Sequence, residues 1–172
     1  MTEGMRLRPV AEPDFDTLDG MFADPDQIGE FNWGGFSDPG VWRRRFTENG
    51  LITDDKAVLM VDVGDETVGF VSWHKVQTGH VAYVFEFGIS LLPAARGRGH
   101  GAAAQLLLAR YLFAHSMVNR IQATTEAGNV AEQRSLEKAG FVREAELKGH
   151  TFRDGQWRDE VLYRMLRAEL PG

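Results

Sequence analysis

Hydrophobic and polar positions change period several times along the chain, and each change marks an element. Met5 to Val10 alternates Leu7 and Pro9 with Arg6 and Arg8, which predicts a short first strand. Pro13 to Ala23 carries Phe15, Leu18, Met21 and Phe22 at helical spacing, with Pro13 suited to a first turn. Asp24 to Pro39 reads as a loop because it concentrates Gly, Pro, Asp and Asn, although Phe31, Trp33 and Phe36 make it unusually apolar. Pro39 to Glu48 predicts a second helix. Ala57 to Val63 and Thr67 to Val76, joined by Gly64-Asp65-Glu66, predict a hairpin, and His80 to Leu91 a third long strand. Gly99 to His115 predicts a strong helix, with Ala102, Leu106, Ala109, Leu112 and Phe113 on one side. Ile121 to Glu126 reads as a strand, and Val130 to Ala139 as a helix that Gly140 closes. Two final strands flank Asp154-Gly155, a hairpin signal. The pattern predicts a mixed α/β fold: a single sheet of about six to seven strands flanked by about four helices. The two successive strand-to-helix units in the second half predict parallel pairing there.

Composition narrows the function. The 172 residues suit one domain, residues 1–172, and 43% hydrophobic with 26% charged residues is ordinary for a globular protein. A formal net charge of -6 argues against a nucleic-acid surface. The chain has no cysteine, so there is neither a disulfide framework nor an acyl-cysteine intermediate. The start lacks a secretory pattern, and no apolar run approaches the roughly 20 residues of a membrane span. The expectation is a cytoplasmic protein. His74, His80, His100, His115 and His150 show no metal-ligand spacing, and no Gly-x-Ser-x-Gly elbow occurs. The acidic first half reads as solvated helix ends, with a funnel for an amine as the alternative, and Trp33 and Trp42 read as core.

The most informative stretch is Leu91-Leu92-Pro93-Ala94-Ala95-Arg96-Gly97-Arg98-Gly99-His100-Gly101-Ala102, between a predicted strand and a predicted helix. Glycines let backbone approach a ligand, and free N–H groups at a helix start form an anion site. Arg96 and Arg98 add positive charge. A Walker loop would need Gly-Lys-Ser/Thr where His100-Gly101 stands, and a Rossmann loop would need an acidic residue nearer than Glu126. The alternative is a flexible glycine turn with solvated arginines.

Arg96-x-x-Gly99-x-Gly101 resembles the signature of the GNAT acetyltransferase superfamily. Asn129 to Phe141, ending Glu137-Lys138-Ala139-Gly140-Phe141, resembles that superfamily's Asn-led helix. Glu86-Phe87-Gly88-Ile89 and the final hairpin, with Asp159 and Tyr163, are similar to its ribosomal-protein N-acetyltransferase (RimJ/RimL-like) branch. The resemblance covers Met5 to Leu166 and is concentrated from Val84 onward. It implies a GNAT-like acyl-CoA N-acyltransferase fold and transfer of an acetyl group from acetyl-CoA to a primary amine, by direct attack in a ternary complex. The acceptor is a protein N-terminus or a small molecule. Phe31 to Phe36 falls outside the pattern, in the region where members of the family build acceptor specificity.

The resemblance assigns Arg96, Gly97, Arg98, Gly99, His100, Gly101 and Ala102 to the pyrophosphate of coenzyme A. It assigns the backbone of Ile89, Ser90 and Leu91 to the pantetheine arm. Glu86 is the candidate base. Alternation sets it with Val84, Gly88 and Ser90, opposite Tyr83, Phe85, Phe87 and Ile89, and a lone carboxylate among apolar neighbours would have a raised pKa. A solvated or ion-paired strand carboxylate is the alternative. Asn129 caps its helix or bonds the cofactor arm, or does both. Many members carry a Tyr that protonates the thiolate where Leu136 stands; Ser135 is the substitute candidate, a plain helix-surface serine the alternative. No metal is expected, and no nucleic acid or membrane partner; a homodimer is compatible with the sequence. The rival function is a non-catalytic coenzyme A-binding sensor or regulatory module.

Overall fold

The computed structural model describes residues 4–172. Its strands are β1 (Met5–Pro9), β2 (Lys56–Val63), β3 (Glu66–Gln77), β4 (Tyr83–Leu91), β5 (Arg120–Glu126), β6 (Val142–Arg153) and β7 (Gln156–Leu166). They form one sheet in the order β1-β2-β3-β4-β5-β7-β6. The helices are α1 (Phe15–Ala23), α2 (Pro25–Ile28), α3 (Val41–Asn49), α4 (His100–His115) and α5 (Val130–Lys138).

The near-continuous apolar run of β2 is explained by cover on both faces. Ala57, Leu59 and Val61 join a core with β4, α4, α5 and β7, while Val58 and Met60 join a second core with Phe15, Leu18, Met21 and Phe70. Trp33 and Trp42 pack against that second core but stay half-buried, and each also lines a cleft, so neither is the plain core residue that the sequence implied. A buried ion cluster locks the sheet's first edge. Arg8 donates to Asp14 at 2.6 and 2.8 Å and to Asp62 at 2.7 Å, and Thr67 also bonds Asp62. The bond from Arg8 holds the Asp14 carboxyl below its ordinary range. Burial works against ionisation of Asp62, but the bonds from Arg8 and Thr67 outweigh it and hold that carboxyl low as well. Asp14 is therefore not the solvated helix end that the sequence implied.

Two other expectations need correction. The predicted loop from Asp24 contains α2, whose first turn is capped by the Asp24 carboxylate accepting from the Asp26 N–H at 2.8 Å. Four residues are too few to show a helical period. Parallel pairing is confined to β4 with β5; β7 lies antiparallel between β5 and β6. The inner place falls to β7 because Val161, Tyr163 and Met165 supply a core face, whereas β6 alternates exposed and half-buried positions suited to an edge. Their turn has φ of 51° at Asp154 and 75° at Gly155, the geometry the Asp-Gly signal predicted.

Candidate active site

The site is built where two parallel strands part. β4 and β5 register only at Phe85↔Ile121 and Glu86↔Gln122. β4 continues to Leu91 paired solely on its β3 side, and β5 continues to Glu126 paired solely on its β7 side. Between Phe87–Leu91 and Ala123–Glu126 two strand edges face a wedge. Such edges offer N–H and C=O groups to an extended ligand.

Glu86 occupies the last paired position before the strands separate. Its carboxylate is half-buried and accepts from the Gln122 Nε2 at 2.8 Å. His74 of β3 is its registered neighbour on the other side. The polar row continues beyond Gln122: Arg120 donates to Gln122 at 3.0 Å and pairs with Glu144 at 2.8 Å. Glu86 is thus held at one oxygen, and not the lone carboxylate that the sequence implied. The expected alternation holds, since Phe85 and Phe87 enter the main core with Tyr83 and Ile89 packed against it.

The glycine loop closes the wedge at the end of β4. Gly97 and Gly99 have φ of 72° and 83°, a region open to glycine. Gly99 is the N-cap of α4 and brings no side chain to the helix start, so the first-turn N–H groups of this 16-residue helix are left open. His100 Nδ1 lies beside them, buried without a partner. Arg98 is exposed. Lys138, at the end of α5, brings its Nζ to 3.7 Å from where a Gly99 Cβ would stand. Sequence reading missed Lys138; its only local signal is its place in the Glu-Lys-x-Gly-Phe block. An orphaned imidazole nitrogen, open N–H groups and two cations form a donor set that fits a pyrophosphate.

The remaining candidates have other partners. Arg96 stays exposed but is engaged with carbonyls, donating to Leu91 O at 2.9 Å and to those of Asp26 and Gln27, so it staples α2 to the loop. A Cβ on Gly101 would stand 2.8 Å from Ser135 Oγ, so this glycine lets α4 approach α5 closely. Ala102 is buried in the main core. Ser135 donates to Gln105 Oε1 at 3.2 Å, between the helices. Asn129 caps α5 by accepting from the Glu132 N–H at 3.2 Å, while its Nδ2 donates to Thr125 Oγ1 at 3.0 Å in the wedge. Of the β4 edge, Ile89 O and Ser90 Oγ lie 3.4 and 3.2 Å from Asn32 Nδ2. One group was not foreseen. Among the described residues Glu132 is half-buried with one side-chain bond, from Gln105 Nε2 at 2.6 Å, and burial pushes its carboxyl up to about 7.

Asn32 belongs to the aromatic segment that had no place in the pattern. This segment forms one wall of a cleft of about 180 Å³ at the mouth of the wedge, with Phe31, Trp33, Thr124, Glu126, Arg153 and Glu160 among its lining. The charge of Arg153 is cancelled by Glu126, which accepts from its Nε and, at 3.0 Å, its Nη2, and by Asp154 at 2.7 Å. Among the described residues the Glu160 side chain meets only His150, at 2.8 Å. Thr124 follows Gln122 on the same face of β5, so the cleft begins two residues along that strand from the partner of Glu86.

Residues 5–142 match the family model described as the acetyltransferase (GNAT) domain. The chain belongs to the GNAT acetyltransferase family. YdaF of Bacillus subtilis (strain 168), provisionally named a ribosomal N-acetyltransferase, is 27% identical over 132 residues, 76% of this chain and 68% of that protein. Mycobacterium smegmatis RimJ in complex with CoA-disulfide superposes with a TM-score of 0.79 at 22% identity, covering 98% of this chain and 84% of that one. Spermidine N-acetyltransferase from Vibrio cholerae, solved with CoA and spermine, gives 0.81 at 16% identity, covering 97% and 98%. The relatives support the RimJ-like branch at low identity. Family membership and the names of the relatives support an N-acetyltransferase, the fold is shared with proteins solved with CoA, and among the described residues no helix is long and apolar enough to cross a membrane.

Proposed function

We propose that residues 1–172 act as one GNAT domain that transfers acetyl from acetyl-CoA to a primary amine by direct attack in a ternary complex. The observation that carries this reading is the parting of β4 and β5 directly after Glu86, with an uncapped helix start at the far end of β4. Acetyl-CoA supplies the activated acyl group. The first turn of α4, with Arg98 and Lys138, binds its pyrophosphate, and the β4 edge at Ile89, Ser90 and Leu91 orients the pantetheine arm. The amine enters through the cleft between Trp33 and Glu160; as in the Vibrio cholerae enzyme solved with spermine, it is a cation before reaction. A lysine-like ammonium costs roughly 4.6 kcal/mol to deprotonate at pH 7, and an α-ammonium roughly 1.4 kcal/mol. Glu86, oriented by Gln122, takes that proton directly or through water.

The rival, a coenzyme A-binding module without catalysis, draws on Leu136, fully buried where an acid would stand, and on Ser135, committed to Gln105. A screen of amines and N-terminal peptides for CoA release separates the two; no release with any acceptor favours the rival. On a confirmed acceptor, Glu86→Gln keeps the shape and the Gln122 bond but removes basicity. The expected result is a loss of about a hundredfold or more in kcat at neutral pH with unchanged acetyl-CoA affinity. The deficit shrinks as pH rises and solution deprotonates the amine. A variant equal to wild type across the neutral range leaves Glu86 a structural carboxylate.

A further inference from the structure

A second cleft lies on the other side of the Glu86 row, between α3 and the β2–β3 hairpin, and acetyl transfer as derived above makes no use of it. It encloses about 180 Å³, comparable to a cavity that admits one benzene ring. Its apolar lining includes Trp42, Leu51 and Val58, with Ala57 and Trp73. That wall is preformed. Trp42 stacks on Phe22 with ring centroids 5.0 Å apart, and Leu51 is buried beneath the cleft by a left-handed backbone (φ 61°), unusual for a branched side chain.

The rim has one sign of charge. Arg45 and Lys56 line it, with His74 at the end nearest Glu86, and no carboxylate does. Trp42, Arg45 and Asn49 fall on one stripe of α3, which turns wall and rim toward the same space. The neighbouring cations are spent: Arg43 pairs with Asp19, Arg44 with Asp38, and Lys75 with Asp55. Arg45 and Lys56 have no ion pair among the described residues. In a chain of net charge -6, two unpaired cations thus converge on an apolar cleft. An apolar wall excludes water and strengthens attraction for an anion at its rim, and a guanidinium fork matches a carboxylate.

We propose that this cleft binds a small organic carboxylate with an apolar body of about one ring, the body against Trp42 and Leu51 and the carboxylate between Arg45 and Lys56. The occupant sits beside the catalytic row without entering it, since His74 separates the cleft from Glu86 by one strand.

Phenylacetate titrated into the full chain, followed by calorimetry and tryptophan fluorescence, tests this. The expected result is 1:1 saturation with a dissociation constant of about 0.1–1 mM. Benzyl alcohol binds about tenfold more weakly and 2-phenylethylamine does not saturate. Arg45→Gln and Lys56→Gln, both at exposed positions, each weaken phenylacetate about three- to tenfold with unchanged melting temperature, and saturating CoA leaves its affinity unchanged. Three results overturn the proposal: no saturation at 20 mM, equal affinity for benzyl alcohol, or displacement by CoA, which would assign the carboxylate to the loop before α4. None of these measurements depends on acetyl transfer, so they stand or fall apart from the proposed activity.

Discussion

Two inward carboxylates show how differently a single buried charge can be treated. Asp62 receives bonds from Arg6, Arg8 and Thr67 and stays ionised. Glu132 receives one amide hydrogen from Gln105, and burial raises its carboxyl from 4.5 to about 7. Below pH 4.5 this carboxyl is protonated in the folded and the unfolded chain alike. Between 4.5 and about 7 the unfolded chain has released the proton that the folded chain keeps, so the folded state loses stability as pH rises. Above about 7 the loss is complete, on the order of 2–3 kcal/mol. Glu132→Gln keeps an oxygen for Gln105 and removes the charge. It also forfeits a favourable charge in the first turn of α5, worth about 0.3–1 kcal/mol. Urea unfolding of the variant should show a gain of about 1–2 kcal/mol at pH 8 and none at pH 4. An equal gain at both pH values, or none at pH 8, means that Glu132 is ionised and well solvated in the fold.

At the scale of elements, close approach fixes the end of β4 against β3. A Cβ on Gly69 of β3 would lie 2.1 Å from Ser90 O and 2.8 Å from Leu91 Cα. Both neighbours are backbone, so neither yields without moving the end of β4. Gly69→Ala should therefore destabilise the fold by about 1–3 kcal/mol and raise KM for acetyl-CoA more than it lowers kcat, because the displaced edge is the one assigned to the pantetheine arm. Unfolding curves and steady-state kinetics check both; unchanged stability would mean that β3 and β4 are looser than their register implies. Elements with a long period were legible in the sequence: α4 and the β2–β3 hairpin need only their own residues to declare themselves. The α2 turn and the segment from Phe31 to Phe36 were not, because distant groups fix them. Arg96 holds the carbonyls of Asp26 and Gln27, and Asn32 reaches Ser90. The place of β7 inside β6 was hidden for a related reason, since both strands suit the hairpin and only the core face on β7 breaks the tie. In the candidate site, the loop glycines, Glu86 and Asn129 could be proposed from the sequence because the order and spacing of their blocks resemble the family's. Gln122 and Glu132 are set by partners far along the chain, of which a single sequence holds no local sign, and Lys138 is marked only by its place before Ala139-Gly140-Phe141.

The whole molecule has a seam. β1 to β4 form one half of the sheet and β5 to β7 the other, and only two registered pairs between β4 and β5 join them. The helices and the main core bridge the gap: Phe87 meets Phe141 with ring centroids 5.1 Å apart, and α4 packs on α5 around Gly101 and Ser135. Acetyl-CoA held as proposed would touch both halves at once, through the β4 edge and loop on one side and Lys138 on the other. Anything that binds the folded chain alone stabilises it by RT ln(1 + [L]/Kd), about 2.7 kcal/mol at a hundred times Kd. In a chain of this size 1 kcal/mol corresponds to about 2–4 °C, so acetyl-CoA should raise the melting temperature by about 5–10 °C. NAD and ATP share phosphates with it but have no pantetheine arm to fill the wedge, and should give a smaller rise at equal concentration. Lys138→Ala should reduce the shift with acetyl-CoA while leaving the melting temperature of the free chain unchanged, because Lys138 is exposed. A thermal-shift titration of both proteins with all three ligands is the measurement. Stabilisation by NAD equal to or greater than that by acetyl-CoA would mean that the wedge is not a coenzyme A site. A full shift in the Lys138 variant would confine the phosphate contacts to the loop and the start of α4.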